Sequence, residues 1–531
     1  MKNFDYFGVM IDCSRNAVPS VSGLKKFFDI ISKMGYNCAM LYTEDTYEVE
    51  NEPFFGYKRG RFSASELREI DEYAASVGIE VIPCIQTLAH LNAIFNWKEY
   101  QTIRDIDDIL SVDLERTYEL IENMLASVSK NIRSRKLHIG MDEAHNIGLG
   151  KYLDRNGYGN RYEILTKHLK KVCDMAKKYG YEVLMWNDMF FRLCLDGTYY
   201  PKEEINFPKE VTENIPENCS MVYWDYYSMG KDVYDIMIKS SRKLSENIWW
   251  AGGAWIWGGF APHYIYSSAR NNVAIPTCRE NGVRNVLITL WGDCGGECPY
   301  FSALAMLMHA AALAEDIPED EMRARFREIT GESFDAFCDL DLPNHVYGKD
   351  VTIGSANYSK NRLYDDPFLG IVSTNTQGAD GSVYKEYTQI LKKHAAESHG
   401  FAYLFDTMAA LCDCLEIKFS LYDRTYALYQ AGDKEALRRL AEEDYTELLA
   451  RLDVFCEAFR KQWYTVNKTY GFEVQDIRLG GLMQRIKSCR ARLIEYANGE
   501  TDEIAELCEA ALPCPDGNIP QWHRSVSANV I

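Results

Sequence analysis

Lys136-Leu-His-Ile-Gly-Met-Asp-Glu-Ala-His145 is the stretch on which the reading of the fold turns. A short apolar run, residues 137–141, delivers two adjacent carboxylates, Asp142 and Glu143. On a regular strand neighbouring side chains point to opposite faces. Both acids serve one site only if the strand has ended by Asp142 and the backbone turns there. An acidic pair where a buried strand meets a loop is a place for chemistry.

The same kind of apolar run recurs on both sides of this stretch, with amphipathic stretches between. Strands are expected at 6–12, 37–43, 80–86, 136–140, 182–186, 221–224, 248–254 and 285–290. Most are continuous apolar runs rather than alternating ones, as parallel strands covered on both faces require. Val21, Leu24, Phe27, Phe28, Ile31 and Met34 share one helical face, with Gly35 as a stop. Ser63 and Glu66 form a capping-box pattern, and 160–179 reads as a helix ended by Gly180. Eight strand–helix repeats precede residue 315, which predicts an α/β fold of the (β/α)₈ TIM-barrel type. A doubly wound open sheet is the competing layout, but no GxGxxG follows the first strand.

Beyond residue 314 the strand signal fades. Residues 319–330 read as a charged helix and 344–381 as an irregular, Gly/Asp/Asn/Tyr-rich excursion. Helices are expected over 399–429, 434–470, 482–497 and 503–511, with 471–481 breaking the pattern as a loop. The expected organisation is a barrel over 1–315 and a mainly α-helical domain over 316–531.

Composition narrows the function. The 531-residue chain is 47% hydrophobic and 26% charged, with no low-complexity tract. A net charge of -20 argues against nucleic acid or an anionic membrane as partner, and favours a neutral substrate. The 16 cysteines show no CxxC pair, and neither Cys294/Cys298 nor Cys412/Cys414 matches a zinc framework. Cysteines placed in apolar runs, and an N-terminus without a signal-peptide core, lead us to expect a cytoplasmic protein. The longest apolar helix, 301–314, is too short for a membrane span.

In a barrel of this kind the chemistry lies at the C-terminal strand ends. In order, these deliver Asp12 and Arg15; Tyr42, Glu44 and Asp45; Gln86 and His90; Asp142, Glu143 and His145; Trp186 and Asp188; Trp224, Asp225 and Tyr226; Trp255 and Trp257; Trp291, Asp293 and Glu297. Carboxylates and an Arg bind sugar hydroxyls by charge-assisted hydrogen bonds, and indole faces enclose the C–H face of a pyranose or an acetamide methyl. No Lys stands at a strand end as a Schiff-base candidate, and no phosphate-cradling Gly loop appears. A set with these types reads as carbohydrate. The bland readings are a structural salt bridge for Arg15, a satisfied core residue for His90 or His145, and packing for Trp97, Trp249 and Trp250. Glu297 is equally a hydroxyl ligand or a loop cap. A metal held by His138, Asp142, Glu143 and His145 fits no common ligand spacing.

His138-Ile-Gly-Met-Asp-Glu143 resembles the His-x-Gly-x-Asp-Glu motif of glycoside hydrolase family 20, the β-N-acetylhexosaminidases. Asp12-Cys-Ser-Arg15 resembles that family's first-strand Asp-x-x-Arg, whose Arg holds the sugar's 3- and 4-hydroxyls. The segment from Gln86 to His90 resembles its third-strand Gly-His region. Trp186, Trp224 and Trp291 fall where the family places its pocket tryptophans, and Trp291-Gly-Asp293 resembles its Trp-x-Glu. The resemblance leads us to expect a member without the family's N-terminal α/β domain, as in a subgroup of short bacterial members. Gly253-Ala-Trp-Ile-Trp257 replaces the usual Tyr-Leu-Asp, so Tyr226 is our substitute for the tyrosine on the acetamide oxygen.

The resemblance implies a retaining exo-β-N-acetylhexosaminidase acting on terminal β-GlcNAc, or β-GalNAc, of an oligosaccharide. Consecutive acids fit poorly to a two-carboxylate pair about 5 Å apart across the scissile bond. The implied mechanism is substrate-assisted: the 2-acetamido oxygen attacks, Asp142 steers the amide, and Glu143 serves as acid and then base. Burial among Trp and a neighbouring carboxylate are expected to raise the Glu143 pKa. His138 is expected to hydrogen-bond near Asp142. Arg15, Glu44, His90, Trp186, Trp224, Tyr226, Trp255, Trp257, Trp291 and Asp293 are the expected substrate contacts, with Glu44 and Asp45 as alternatives for one hydroxyl. No metal or organic cofactor is implied. Release of a disaccharide, as by lacto-N-biosidases, and non-catalytic sugar binding remain alternatives. A homodimer through the helical half is open; no heptad repeat marks it.

Overall fold

The computed structural model describes residues 3–293, 295–348, 357–376 and 378–512. Eight strands pair in parallel and in chain order to close a barrel: β1 (Tyr6–Asp12), β2 (Cys38–Tyr42), β3 (Glu80–Cys84), β4 (Lys136–His138), β5 (Glu182–Trp186), β6 (Cys219–Trp224), β7 (Ile248–Gly253) and β8 (Asn285–Leu290). The β8–β1 pairing, from Tyr6 opposite Asn285 to Ile11 opposite Leu290, closes the ring. Every residue of β2, β7 and β8 is buried, the burial that a continuous apolar run encodes. Closure decides between the two layouts considered from the sequence.

The helices obey their local signals. Ser20 Oγ accepts from Gly23 N at the start of Val21–Lys33, and Gly35 ends that segment with φ 98°. Ser63 and Glu66 exchange both capping-box bonds at the start of Ala64–Ser76. Asn160 caps Arg161–Lys178, and Gly180 follows with φ 77°.

Two compact units divide the chain. The first comprises 1–255, 267–292 and 303–330 and contains the barrel. The second comprises 256–266, 293–302 and 331–531. It is helical, with long helices Ala402–Lys418, Asp444–Val466 and Phe472–Asn498. Segments that follow β7 and β8 thus belong to the second unit, whereas Leu304–Glu315 and Glu319–Thr330 belong to the first.

Several sequence expectations are corrected. Residues 471–481 are not a loop: only Gly471 is left-handed, at φ 91°, and the helix Phe472–Asn498 runs through Gly480 and Gly481. Propensity disfavours two glycines in a helix, but burial of Phe472, Gln475, Leu479, Leu482 and Ile486 along one face overrides it. The 503–511 helix is only a turn, Ala505–Leu507. Within 344–381, a helix Tyr358–Tyr364 and a turn Ser373–Thr376 form, while 349–356 and 377 lie outside the described residues, as does Cys294. Among the described residues the cysteines are free thiols, and no helix is long and apolar enough to cross a membrane.

Candidate active site

The site is built on the end of β4. The strand is assigned only to His138, but Ile139 N still donates to Leu184 O, and Trp186 N to Gly140 O. The backbone then turns. Gly140 and Met141 both have φ 71°, and Glu143 has φ 52°. This run of left-handed residues breaks the strand alternation, so Asp142 is buried while Glu143 opens to solvent. Gly140 is required twice, by its φ and because a Cβ there would lie 1.9 Å from Gln86 Oε1. Gln86 clamps the turn: its Oε1 accepts from Met141 N at 3.2 Å, and its Nε2 donates to Asp142 Oδ1 at 2.8 Å. His138 Nδ1 accepts from Gly140 N at 3.1 Å, so His138 holds the turn that leads to Asp142. Burial holds its pKa down to about 3, which keeps the ring neutral.

Asp142 Oδ2 lies 3.1 Å from His90 Nε2, an ion pair. Burial works against the Asp142 charge, but the His90 cation and the Gln86 donor outweigh it and hold its pKa at about 2. Burial likewise opposes the charge on His90, yet Asp142 wins and raises its pKa to about 10. His90 is itself left-handed, at φ 57°, and its backbone N donates to Asp108 Oδ2. Glu143 differs from expectation. Its side chain is 43% exposed, so the tryptophan burial anticipated around it is absent from the free protein. Its backbone N donates to Asp188 Oδ2 at 3.0 Å, and its carboxylate lies 3.8 Å from both His90 Nε2 and Arg192 Nη2. Asp188 is fully buried; burial, then the nearby Asp142 charge, push its carboxyl up to about 7.

At the other side stands Arg15. Asp12 Oδ1 accepts from Ser14 N, Ser14 Oγ and Arg15 N, an Asx turn, and its Oδ2 pairs with Arg15 Nη1 at 3.1 Å. The guanidinium lies over Tyr42 and Trp291, 5.2 and 5.0 Å from the ring centres. Arg15 Nη2 is 3.7 Å from Glu44 Oε1, which also accepts from Tyr42 OH at 3.0 Å. Burial raises Glu44 to about 7 against the pull of Arg15. Asp45 instead binds Arg59 at 2.9 Å, so of the two alternatives Glu44 faces Arg15. Gln86 Nε2 also donates to Tyr42 OH at 3.0 Å. One connected chain therefore runs from Arg15 through Glu44, Tyr42 and Gln86 to Asp142 and His90.

The aromatic residues of this unit gather beside the chain. Trp291 meets Tyr42 edge-on at 4.7 Å and Trp186 at 6.1 Å, and its Nε1 donates to Tyr226 OH at 3.0 Å. Tyr226 stacks on Trp224 at 5.4 Å, and Trp186 packs on His138 at 4.5 Å. Trp255 is buried, edge-on to Tyr227 at 5.6 Å. Trp257 and Asp293 belong to the second unit, the first buried and the second exposed. Trp249 and Trp250 lie within β7, buried. Glu297 also belongs to the second unit, where its side chain is fully buried against Lys360 and Arg478. Sequence reading underused Tyr42, Gln86 and Asp188 and missed Arg192. The signal for Arg192 was its i,i+4 spacing from Asp188 on the helix Asp188–Cys194.

Residues 4–226 match the family model described as Glycosyl hydrolase family 20, catalytic domain. Residues 335–526 match the Glycoside Hydrolase 20C C-terminal domain. Hexosaminidase D of Bos taurus is 23% identical over 321 residues, covering 57% of this chain and 86% of that protein. Hexosaminidase D of Homo sapiens is 23% identical over 254 residues, 45% of this chain but only 49% of its own length. Among solved structures, a GH20 exo β-N-acetylglucosaminidase from Vibrio harveyi in complex with N-acetylglucosamine is 14% identical, with a TM-score of 0.47, covering 64% of this chain and 58% of that one. Models of one family thus cover β1 to β6 of the barrel and most of the helical half, and the chain belongs to glycoside hydrolase family 20.

Proposed function

We propose that this glycoside hydrolase is a retaining exo-β-N-acetylhexosaminidase that removes terminal β-GlcNAc, and β-GalNAc, from oligosaccharides by substrate-assisted catalysis. The observation that carries the reading is the chain from Arg15 to Asp142, which couples a hydroxyl-binding cation to an acid kept ionised. With a pKa near 2, Asp142 is an anion at any working pH. It suits orienting an acetamide N–H and stabilising a positive oxazolinium ring, and does not suit donating a proton. Glu143 is adjacent and open to solvent, which supports its reading as the proton donor to the glycosidic oxygen.

In the first step the acetamide oxygen bonds to the anomeric carbon as the C1–O bond to the leaving group breaks, and Glu143 gives its proton to the departing oxygen. In the second, the Glu143 carboxylate takes a proton from water, whose oxygen bonds to C1 while the ring oxygen of the oxazolinium leaves. Two inversions give retention. Arg15 and Glu44 bind ring hydroxyls, and the Trp186, Trp224, Tyr226 and Trp291 group encloses the acetamide. Free thiols support a reducing, cytoplasmic setting.

The test is turnover of p-nitrophenyl and alkyl β-GlcNAc by wild type, Glu143→Gln and Asp142→Asn. Glu143→Gln loses on the order of 10²–10⁴-fold on the alkyl glycoside and much less on a good leaving group. Asp142→Asn loses activity on both, and azide restores neither through a vacated nucleophile position. Full activity of Glu143→Gln on the alkyl glycoside sinks the assignment; preference for aryl disaccharides over monosaccharides would make the enzyme a disaccharide-releasing one.

A further inference from the structure

The Glu143 carboxylate sits between two cations, His90 on its Oε2 side and Arg192 on its Oε1 side, each at 3.8 Å. Each cation carries its own carboxylate: Asp142 lies 3.1 Å from His90, and Asp188 Oδ2 lies 3.2 Å from Arg192 Nε. The function proposed above uses the first pair and leaves the second idle. We propose that Asp188 and Arg192 form a positioning pair for Glu143, in which Asp188 holds its backbone turn and Arg192 sets the pH at which it loses its catalytic proton. The inference rests on Glu143 being the general acid.

Three observations support it. Asp188 Oδ2 accepts both the Glu143 N–H and the Arg192 guanidinium, so one buried oxygen ties the turn to the cation. Glu143 sits at φ 52°, a conformation that a non-glycine residue keeps only when held. Arg192 is not a loose surface cation: its Nη1 donates to Gly197 O at 3.2 Å, and its guanidinium lies 5.4 Å from the Tyr199 ring centre and 5.9 Å from that of Trp224. Its side chain is 18% exposed.

The remaining charged groups around Glu143 are few. His90 and Asp142 form the opposing pair. His145 follows on the same turn, its proton affinity lowered by burial and then by Arg192. Arg161 donates to the His145 carbonyl. A cation beside a carboxylate favours its ionised form, and an anion behind that cation offsets the effect. Asp188, whose Oδ2 lies 3.2 Å from Arg192 Nε, is the carboxyl behind that cation.

The pH profile of kcat/KM on an alkyl β-GlcNAc glycoside, with thermal melting of each full-length variant, tests this. Arg192→Met moves the basic limb to higher pH by about 0.5–1 unit, the shift expected of a largely water-screened cation at this distance. Arg192→Lys stays near wild type. Asp188→Asn keeps an oxygen for the Glu143 N–H but leaves Arg192 unbalanced, and moves the limb to lower pH. A merely structural role lowers kcat without opposite shifts. Limbs that stay put, or move the same way, in variants that melt like wild type overturn the inference. If Asp188→Asn fails to fold, the Arg192→Met and Arg192→Lys pair decides alone. Full activity of Glu143→Gln would instead remove the acid assignment itself, which separates the two failures.

Discussion

Asp142 and His90 show how far one contact moves two proton affinities, and the linkage has a definite sign. His90 is raised from 6.5 to about 10, so its contribution to stability is whole below pH 6.5 and is lost as pH rises through about 10. Asp142 is depressed from 3.8 to about 2, so its contribution is whole above pH 3.8 and is lost as pH falls through about 2. The pair is at full strength between pH 3.8 and 6.5. Imidazole ¹⁵N shifts are expected to show His90 protonated through neutrality in the wild type. In Asp142→Asn, burial is left unopposed by that anion and His90 titrates below neutrality. An unchanged His90 titration in that variant would show that other groups hold the proton. Both residues are visible in the sequence as strand-end groups, and Asp12-Cys-Ser-Arg15 likewise. Their spacing along the chain is local, and local spacing is what a single sequence displays. Gln86 was noted only as a strand-end residue, because its value comes from where strands three and four abut.

At the level of elements, the turn after β4 holds Asp142 and Glu143, and its glycine is the sensitive point. Gly140→Ala places a Cβ against Gln86 in a left-handed conformation, and is expected to cost about 2–3 kcal/mol in denaturant unfolding and to reduce kcat through displacement of Asp142. The helix Phe472–Asn498 makes the opposite case. Gly480 and Gly481 have nothing within 4 Å of an added Cβ, and neither is among the positive-φ glycines. Gly480→Ala with Gly481→Ala is expected to stabilise by about 1–2 kcal/mol, read as a higher denaturant midpoint with unchanged activity. The sequence reading broke the helix there because propensity is all that two adjacent glycines display; the buried face on either side is what keeps it whole.

For the molecule as a whole, each compact unit has its own core. In the second unit Glu297 and Lys360 have no exposed side-chain surface and pair directly, and Arg478 Nη1 lies 3.2 Å from the same carboxylate. Glu297→Gln removes the buried anion that Lys360 and Arg478 share, so thermal and denaturant unfolding should show a loss of about 3–5 kcal/mol. A loss below about 1 kcal/mol would mean that Lys360 reaches solvent or deprotonates. From the sequence Glu297 was equally a sugar ligand or a loop cap, since its partners lie 63 and 181 positions away. The barrel was legible because apolar runs of strand length alternating with capped amphipathic helices leave few other ways to bury both faces of a parallel sheet. The acidic pair was legible for the same local reason. Only the folded chain shows which groups face Glu143, that Arg192 is among them, and that 256–266 and 293–302 belong with the helices. Those outcomes depend on distances between residues far apart in the chain, and burial and charge act through space, where sequence order carries no measure.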